Sequence, residues 1–131
     1  MTDYDLLPMG ALFESKRIFV TGGTGFLGGA VRRSLAERGV TDVIAPSSTD
    51  VDFRSPAATD SAIADAAPDI VLHLAARVGG IGANMAAPAD LYLENLLLGT
   101  NVIEAARHLS LIHISEPTRR RGISYAVFCL K

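Results

Sequence analysis

Three regularly spaced glycines, Gly22-x-x-Gly25-x-x-Gly28, carry the strongest chemical signal in this sequence. They follow a short apolar run over residues 16–21 and open a segment of helical periodicity, as expected for a turn from a buried strand into a helix. Gly22 permits the tight turn, Gly25 lets the backbone approach a diphosphate, and Gly28 lets the helix lie close to the strand. The N–H groups at the helix start then face the phosphates. The spacing predicts a dinucleotide site, with contacts from Gly22, Gly23, Thr24, Gly25, Phe26, Leu27 and Gly28; a glycine-rich turn without a ligand is the alternative.

The residues after the second predicted strand bear on which dinucleotide is bound. A carboxylate at this point holds the ribose hydroxyls of NAD and would repel a 2′-phosphate, whereas hydroxyl groups tolerate the phosphate. Here the sequence runs Ser47-Ser48-Thr49, which favours NADP, with Ser47 and Ser48 as contacts. Asp50 is near enough to keep NAD as an alternative, and a polar loop without any contact is another. Arg54 is a candidate partner of the phosphate, although we expect a solvated loop arginine.

Alternating strands and helices must position this loop. We expect strands over residues 16–21, 42–45 and 69–74, and helices over 26–38, 56–67 and 90–107. This order predicts an α/β fold with a partial, truncated, Rossmann-like doubly wound parallel sheet. On the last helix, the expected apolar face is Leu91, Leu98, Val102 and Ala105, with Asn95 and Asn101 off it. For His73 we expect an interior strand position and no catalytic role.

Composition excludes several classes of function. With 131 residues, 49% of them hydrophobic and 20% charged, the chain has the size and character of one globular domain. A net charge of −2 gives no basic field for nucleic acid or a membrane surface. The single Cys129 excludes a disulfide framework and a multi-cysteine zinc site, so we expect no metal. No apolar run reaches membrane-spanning length, and residues 1–10 do not form a secretory signal; a cytoplasmic protein is expected.

The chain divides into three parts. Residues 1–15 are expected to be an N-terminal leader, and residues 16–108 an incomplete NAD(P)-binding domain. Up to residue 108 the sequence holds eight basic and thirteen acidic residues, whereas residues 109–131 hold four basic residues and one acidic residue. The regular periodicity also stops there, so a boundary is predicted at residue 108.

The ordered part resembles the extended short-chain dehydrogenase/reductases that act on nucleotide sugars, which form an NAD-dependent epimerase/dehydratase family. The resemblance rests on the glycine loop and on His73-Leu74-Ala75-Ala76 after the third strand. Within that family, the stretch Val78-Gly79-Gly80-Ile81-Gly82-Ala83-Asn84, followed by Pro88-Ala89-Asp90, is similar to the GDP-L-fucose synthases. The resemblance covers about residues 16–108.

The resemblance implies a function and further site residues. Enzymes of this kind epimerise GDP-4-keto-6-deoxy-D-mannose and reduce it with NADPH to GDP-L-fucose. Leu74, Ala75 and Ala76 would pass the coenzyme, and Val78, Gly79, Gly80 and Asn84 would face the GDP-sugar substrate. The intact enzyme would be a homodimer, and the helix over 90–107 would take part in the contact. Fragments of another nucleotide-sugar epimerase or dehydratase, and a non-catalytic nucleotide-binding module, are the alternatives.

The catalytic pair of that family has no counterpart in this sequence. The family needs Tyr-x-x-x-Lys, in which the lysine lowers the pKa of the phenol that passes a proton to the ketone oxygen. The tyrosines are Tyr4, Tyr92 and Tyr125, and none has lysine four residues later. We therefore assign no catalytic residue and expect this chain to be inactive alone.

Residues 109–131 resemble a translated DNA sequencing adapter. Leu109–Arg119 is the translation of a transposase adapter end, and Ile123–Leu130 is the translation of its outer end in the same frame. Three residues separate the two stretches, the length of an index sequence plus one base. We expect a non-native tail here. A natural basic tail is the alternative, and Ile123–Leu130 is apolar enough to pair as an extra strand in either case.

Overall fold

The computed structural model describes residues 13, 15–109, 114–115 and 127–128. The strands are β1 (Ile18–Thr21), β2 (Val43–Ile44), β3 (Ile70–His73), β4 (Ile114–Ser115) and β5 (Val127–Phe128), and the helices are α1 (Phe26–Glu37), α2 (Pro56–Ala66), α3 (Ile81–Ala86) and α4 (Pro88–His108). The predicted leader and tail lie almost entirely outside the described residues.

The strands form one sheet in the order β2-β1-β3-β5-β4. The first three are parallel: Ile18 of β1 is aligned with Val43 of β2 and with Ile70 of β3. β5 pairs antiparallel with β3 and with β4. Because β1 lies between β2 and β3, the direction of winding reverses at β1, as the prediction of a doubly wound sheet requires. The expected extra strand from the apolar end is also present, as β5.

Side-chain alternation along the strands builds a core on each face of the sheet. On one face, Phe19 and Val71 pack with Ile63 of α2 and Val102 of α4. On the other face, Ile18, Val20 and Ile70 pack with Leu35 of α1. Every residue of β1 is buried, because helices cover both faces of a parallel sheet. This rigid centre holds the loops at the carboxyl ends of the strands.

The helix ends follow from local sequence. Ser55 caps α2 by accepting a hydrogen bond from the N–H of Ala58, and Pro56 occupies the first turn, where its missing N–H is harmless. Gly39, with φ +80°, ends the α1 region in the left-handed conformation that glycine adopts without strain. In α4, Asp90 in the first turn and Arg107 in the last complement the helix dipole.

One local expectation was wrong. Asn101 lies on the buried face of α4, 8% exposed, and its Nδ2 donates to the carbonyl oxygen of Phe53 at 2.9 Å. Two further features were not predicted. Phe26, the first residue of α1, is 98% exposed. Residues 81–86 form α3, and the N–H of Asn84 in this helix donates to the oxygen of Gly80.

No helix in the described part of the chain is long and apolar enough to cross a membrane.

Candidate functional site

A cleft of about 640 Å³ opens beyond the carboxyl ends of β1 and β3. In an open α/β sheet this is where ligands bind, since the winding reverses there. Seven of the twelve predicted coenzyme contacts line it. The full lining is Gly22, Thr24, Gly25, Pro46, Ser48, Val51, Asp52, Phe53, Arg54, Leu74, Ala75, Ala76, Arg77, Glu94 and Leu98. The other five predicted contacts, Gly23, Phe26, Leu27, Gly28 and Ser47, are not in the lining but lie within three residues of it in the chain.

The glycine loop is packed too closely to accept side chains at Gly22, Gly23 and Gly28. A Cβ on Gly22, whose φ is +71°, would lie 2.7 Å from the backbone nitrogen of Ala75. A Cβ on Gly28 would lie 2.1 Å from the carbonyl oxygen of Gly22. A Cβ on Gly25 would meet only the oxygen of Gly22, at 3.3 Å, so packing restricts this position less. Gly22 and Gly28 therefore bring strand, helix and the segment after β3 together, and Gly25 leaves room beside the loop.

The start of α1 offers unpaired backbone donors. The first helical hydrogen bond runs from Gly29 to Gly25, so the N–H groups of Phe26, Leu27 and Gly28 have no acceptor within the helix. No side chain caps this end, and no acidic residue lies in the first turn. The helix dipole adds partial positive charge at the same point. An anion such as a diphosphate would be held there by backbone groups alone.

A buried hydroxyl ties β1 to β3 at the base of the cleft. The Thr21 Oγ1 accepts hydrogen bonds from the N–H groups of Leu74 and Ala75, both at 3.2 Å. The same hydroxyl forms a hydrogen bond with Nδ1 of His73, 2.7 Å away, in which the tautomer of the imidazole sets the donor. Burial lowers the pKa of His73, which favours the neutral imidazole.

In the turn after β2, the carboxylate of Asp50 is hydrogen-bonded to Ser47. Asp50 Oδ2 accepts from the backbone N–H of Ser47 at 2.8 Å and from the Ser47 hydroxyl at 2.6 Å. These bonds lower the pKa of Asp50, which is therefore ionised and engaged within the turn. Ser48, the next residue, lines the cleft. The end of β2 thus presents a hydroxyl to the cleft instead of a carboxylate.

Charged side chains form the wall of the cleft opposite the glycine loop. Arg54 pairs with both carboxylate oxygens of Asp52, at 2.9 and 3.0 Å, and its Nη1 lies 4.0 Å from Glu94. Glu94 also pairs with Arg77. Hydrogen bonds from Arg54 lower the pKa of Asp52. Arg54 is half exposed, as predicted for a solvated arginine. It also belongs to a chain of ion pairs that joins three segments distant in sequence.

Asn95 of α4 fixes the main chain of Arg77. Its Oδ1 accepts from the N–H of Arg77 at 2.7 Å, and its Nδ2 donates to the oxygen of Arg77 at 2.9 Å. Nδ2 also donates to the oxygen of Leu91, one turn earlier in the helix. The amide therefore holds the segment after β3 at a set distance from α4.

The predicted substrate residues lie along the next stretch of chain, outside the lining of the cleft. Val78 is 86% exposed. Asn84 Nδ2 donates to the oxygen of Gly79 at 3.0 Å, which folds the segment back on itself. A Cβ on Gly80 would meet nothing within 4 Å. The segment is therefore placed beside the cleft by Asn95 and Arg77, and packing does not require glycine at position 80.

The described part of the chain brings no proton-transfer pair together. Tyr92 is 70% exposed on α4, and Lys16 lies 3.9 Å from Asp69 at the opposite end of the sheet. Tyr4, Tyr125, Cys129 and Lys131 lie outside the described residues. Among the described residues, no group of three or more His, Cys, Asp or Glu side chains could hold a metal ion.

Several residues of the site, three that line the cleft and Asn95 behind them, were missed in the sequence. Asp52, Arg77, Glu94 and Asn95 come from three segments that are distant in sequence, so their meeting depends on the sheet topology. Two local signals were available. Arg77 directly follows the third strand, and Asn95 interrupts a run of leucines in the last helix. Either feature marks a polar residue in a place where packing alone would favour an apolar one.

Known proteins with similar sequences and structures share this cleft-forming region. Residues 18–128 match the NAD-dependent epimerase/dehydratase family. GDP-L-fucose synthase 1 of Arabidopsis thaliana is 39% identical over 93 residues, which cover 71% of this chain and 29% of that protein. The chain thus spans less than a third of the length of this relative.

Two solved structures with NADP bound are similar to this chain over 72% of its length. The GDP-mannoheptose C4 reductase from Campylobacter jejuni with NADP bound has a TM-score of 0.68 and 26% identity, covering 72% of this chain and 30% of that one. The GDP-L-fucose synthetase from Naegleria fowleri bound to NADP has a TM-score of 0.64 and 30% identity, covering 72% and 29%. Both similarities extend over the same share of the chain.

Proposed function

The chain belongs to the NAD-dependent epimerase/dehydratase family, and on that premise we propose that residues 16–108 are the NADP-binding part of an enzyme of the GDP-L-fucose synthase type. The observation that carries the proposal is the contact between Gly22 and the backbone of Ala75. It closes the glycine loop against the segment after β3 and leaves the start of α1 open toward the cleft. A diphosphate fits there because free N–H groups and the helix dipole point to the same place.

The residues of the cleft fit a nicotinamide coenzyme. The glycine loop would hold the diphosphate, Ser48 would lie beside the adenosine ribose, and Ala75 and Ala76 would pass the second ribose. NADPH supplies a hydride for reduction of a ketone when it is bound. Two observations favour NADP over NAD: Asp50 is held within its own turn, and two structurally similar reductases have NADP bound.

The substrate proposal rests on the relatives. We propose GDP-4-keto-6-deoxy-D-mannose as the substrate of the whole enzyme, with Val78, Gly79, Gly80 and Asn84 facing it. These residues follow directly on the cleft and are accessible, apart from a half-buried Gly79. Another nucleotide-sugar reductase is the second candidate, because the Campylobacter jejuni protein of similar structure acts on a GDP-heptose.

A titration of the full 131-residue chain with NADPH tests the proposed coenzyme site. We expect saturable binding, followed by the change in coenzyme fluorescence, and weaker binding of NADH. Gly29→Ala is a suitable control for alanine variants of the glycine loop, because a Cβ on Gly29 would meet only Arg33 Nη1, at 3.7 Å. This variant should keep the coenzyme affinity of the unsubstituted chain. Absence of saturable binding by a folded chain would contradict the proposal.

We propose that this chain binds coenzyme without turning over substrate. It contains no Tyr-x-x-x-Lys pair, so no phenol is available to protonate the ketone oxygen. This feature also favours the alternative of a non-catalytic nucleotide-binding module. Incubation of the chain with the GDP-ketosugar and NADPH should leave NADPH unoxidised; oxidation above the rate without protein would disprove the inactivity.

We propose that residues 1–15 are a leader and that residues 109–131 are a translated adapter. In support of a non-native part, curated relatives align over only 90 to 101 of the 131 residues. The family match continues to residue 128 and favours the natural tail instead. The nucleotide sequence tests the proposal, since codons other than the adapter bases across 109–119 would exclude it.

For the whole enzyme we propose a cytoplasmic homodimer that binds neither nucleic acid nor membranes. The support for the dimer is an exposed apolar surface on α4, formed by Tyr92, Leu93, Leu96, Leu97 and Ile103. Sedimentation of the complete enzyme would test it: Leu96→Glu should convert a dimer into monomers, and an unchanged dimer would contradict this surface as the contact.

A further inference from the structure

Gly23 brings two separate elements to the glycine loop. A Cβ at this position would lie 2.6 Å from the Cβ of Ala45, just beyond β2, and 3.3 Å from Cδ of Arg32 in α1. The aliphatic stem of Arg32 therefore runs back along α1 toward the loop, on the side where β2 ends. The Arg32 side chain thus lies against Gly23, the residue of the glycine loop that also packs closest to Ala45 at the end of β2.

The guanidinium of Arg32 is not engaged by a carboxylate. Its contact within the described residues is a long one, from Nη1 to the oxygen of Gly23 at 3.5 Å. The two arginines that line the cleft differ in this respect, because Arg54 is paired with Asp52 and Arg77 with Glu94. Within the described part of the chain, Arg32 thus keeps its hydrogen-bonding capacity for a ligand.

We propose that Arg32 binds the 2′-phosphate of NADP and so determines the preference for NADP over NAD. This inference rests on the proposed function. The 2′-oxygen of the adenosine ribose is read at the end of the second strand in this kind of fold, where an arginine accommodates the phosphate. Here Asp50, the carboxylate closest in sequence to Ser48, is ionised, but its Oδ2 accepts two hydrogen bonds from Ser47, so this oxygen is engaged within the turn. A guanidinium can donate two parallel hydrogen bonds to one phosphate group.

The test compares two neighbouring arginines in the full chain. Arg32→Gln removes the charge and keeps much of the side-chain volume, and Arg33→Gln makes the same change one residue later. The control is matched, because Arg33 Nη1 lies near Gly29, a turn away from Gly23. Dissociation constants for NADPH and NADH are measured for each variant, with circular dichroism to show that the variants are folded.

We expect Arg32→Gln to weaken NADPH binding by about tenfold to a hundredfold, the effect of losing a charge-assisted hydrogen bond, and to leave NADH binding unchanged. Arg33→Gln should change neither constant by more than about twofold, as is usual for a surface charge. Adenosine 2′,5′-bisphosphate should lose affinity for the Arg32 variant in the same way, whereas adenosine 5′-monophosphate should not.

The outcomes separate this inference from the proposed function. Equal weakening of NADPH and NADH by Arg32→Gln, or no weakening of either, would overturn the role of Arg32 while leaving the coenzyme site in place. A folded, unsubstituted chain that binds neither coenzyme would overturn the proposed function and this inference with it.

Discussion

The hydroxyl of Thr21 lies 2.7 Å from Nδ1 of His73 and joins the last residues of two parallel strands. The same oxygen accepts the N–H groups of Leu74 and Ala75, so one buried side chain sets the direction in which the chain leaves β3. That direction brings Ala75 against Gly22. The geometry of the coenzyme cleft therefore depends on a residue that precedes the glycine motif and does not line the cleft.

Replacing Thr21 by valine should reduce both stability and coenzyme affinity. Valine has nearly the same shape, but the N–H of Ala75 and the Nδ1 of His73 then lose the hydroxyl, whereas the N–H of Leu74 keeps the backbone oxygen of Thr21 at 3.1 Å. We expect the free energy of unfolding to fall by about 1–3 kcal/mol, measured by urea denaturation. Thr21→Ser keeps the hydroxyl and should retain NADPH binding. Equal loss of binding in both variants would show that the methyl group matters and the hydroxyl does not.

The burial of His73 should make stability depend on pH. Its pKa is lowered in the folded chain, so the folded state resists protonation while the unfolded state takes up a proton. The stabilisation is complete above the unfolded pKa of about 6.5 and is lost as the pH falls through the folded value. Uptake of one proton can change the free energy of unfolding by at most about 1.4 kcal/mol per pH unit. Urea unfolding at several pH values measures this change.

A variant without this imidazole isolates the effect of His73. His73→Asn should flatten the pH dependence between neutrality and mild acid. His108→Gln, at the end of α4, removes an exposed imidazole paired with Asp60 and serves as the comparison. If the His73 variant keeps the full pH dependence of the unsubstituted chain, another group is responsible.

Two adjacent glycines of α1 should respond in opposite ways to alanine. In Gly28→Ala the new Cβ would lie 2.1 Å from the oxygen of Gly22, so helix and loop must separate. We expect the free energy of unfolding to fall by about 1–3 kcal/mol and NADPH binding to become undetectable. Gly29 is helical and has open space beside it, so Gly29→Ala should raise the free energy of unfolding by about 0.4–1 kcal/mol. Thermal unfolding of the pair measures both changes, and similar values for the two would contradict the close packing at Gly28.

Loss of the Asn95 amide should weaken coenzyme binding. Asn95→Leu removes both hydrogen bonds to the main chain of Arg77 and frees the segment that borders the cleft. We expect a rise of about fivefold to thirtyfold in the dissociation constant of NADPH, corresponding to about 1–2 kcal/mol. Glu104→Gln breaks an exposed pair with Arg107 on the same helix and should leave the constant unchanged. Comparable constants for Asn95→Leu and the unsubstituted chain would refute the role of the amide.

The fold was predictable because its signals are local. Each of the three parallel strands is a short apolar run, and glycine or proline stands near the helix ends, so the predicted α/β order is confirmed. The glycine loop was predictable for the same reason: its spacing is a direct requirement of backbone geometry. The structure then gives Gly22 and Gly28 the close contacts that this requirement implies.

The rest of the site depends on contacts between distant segments. Thr21 and His73 are 52 residues apart, and Arg77 and Asn95 are 18 apart. No periodicity links such pairs, because their distance is set by strand pairing and helix packing. Asn101 illustrates the same limit: its burial could not be predicted, because its partner, the carbonyl oxygen of Phe53, belongs to a segment 48 residues away.

The contact of Gly22 with Ala75 has a consequence for how such a sequence can diverge. Its partner atoms at Ala75 belong to the main chain, which every amino acid shares. No exchange of residue 75 can therefore compensate for a larger residue at 22, and second-site suppressors should be absent at that position. The side chain at 75 is restricted by the cleft that it lines and not by this contact, whereas glycine at 22 stays fixed for as long as the two segments touch.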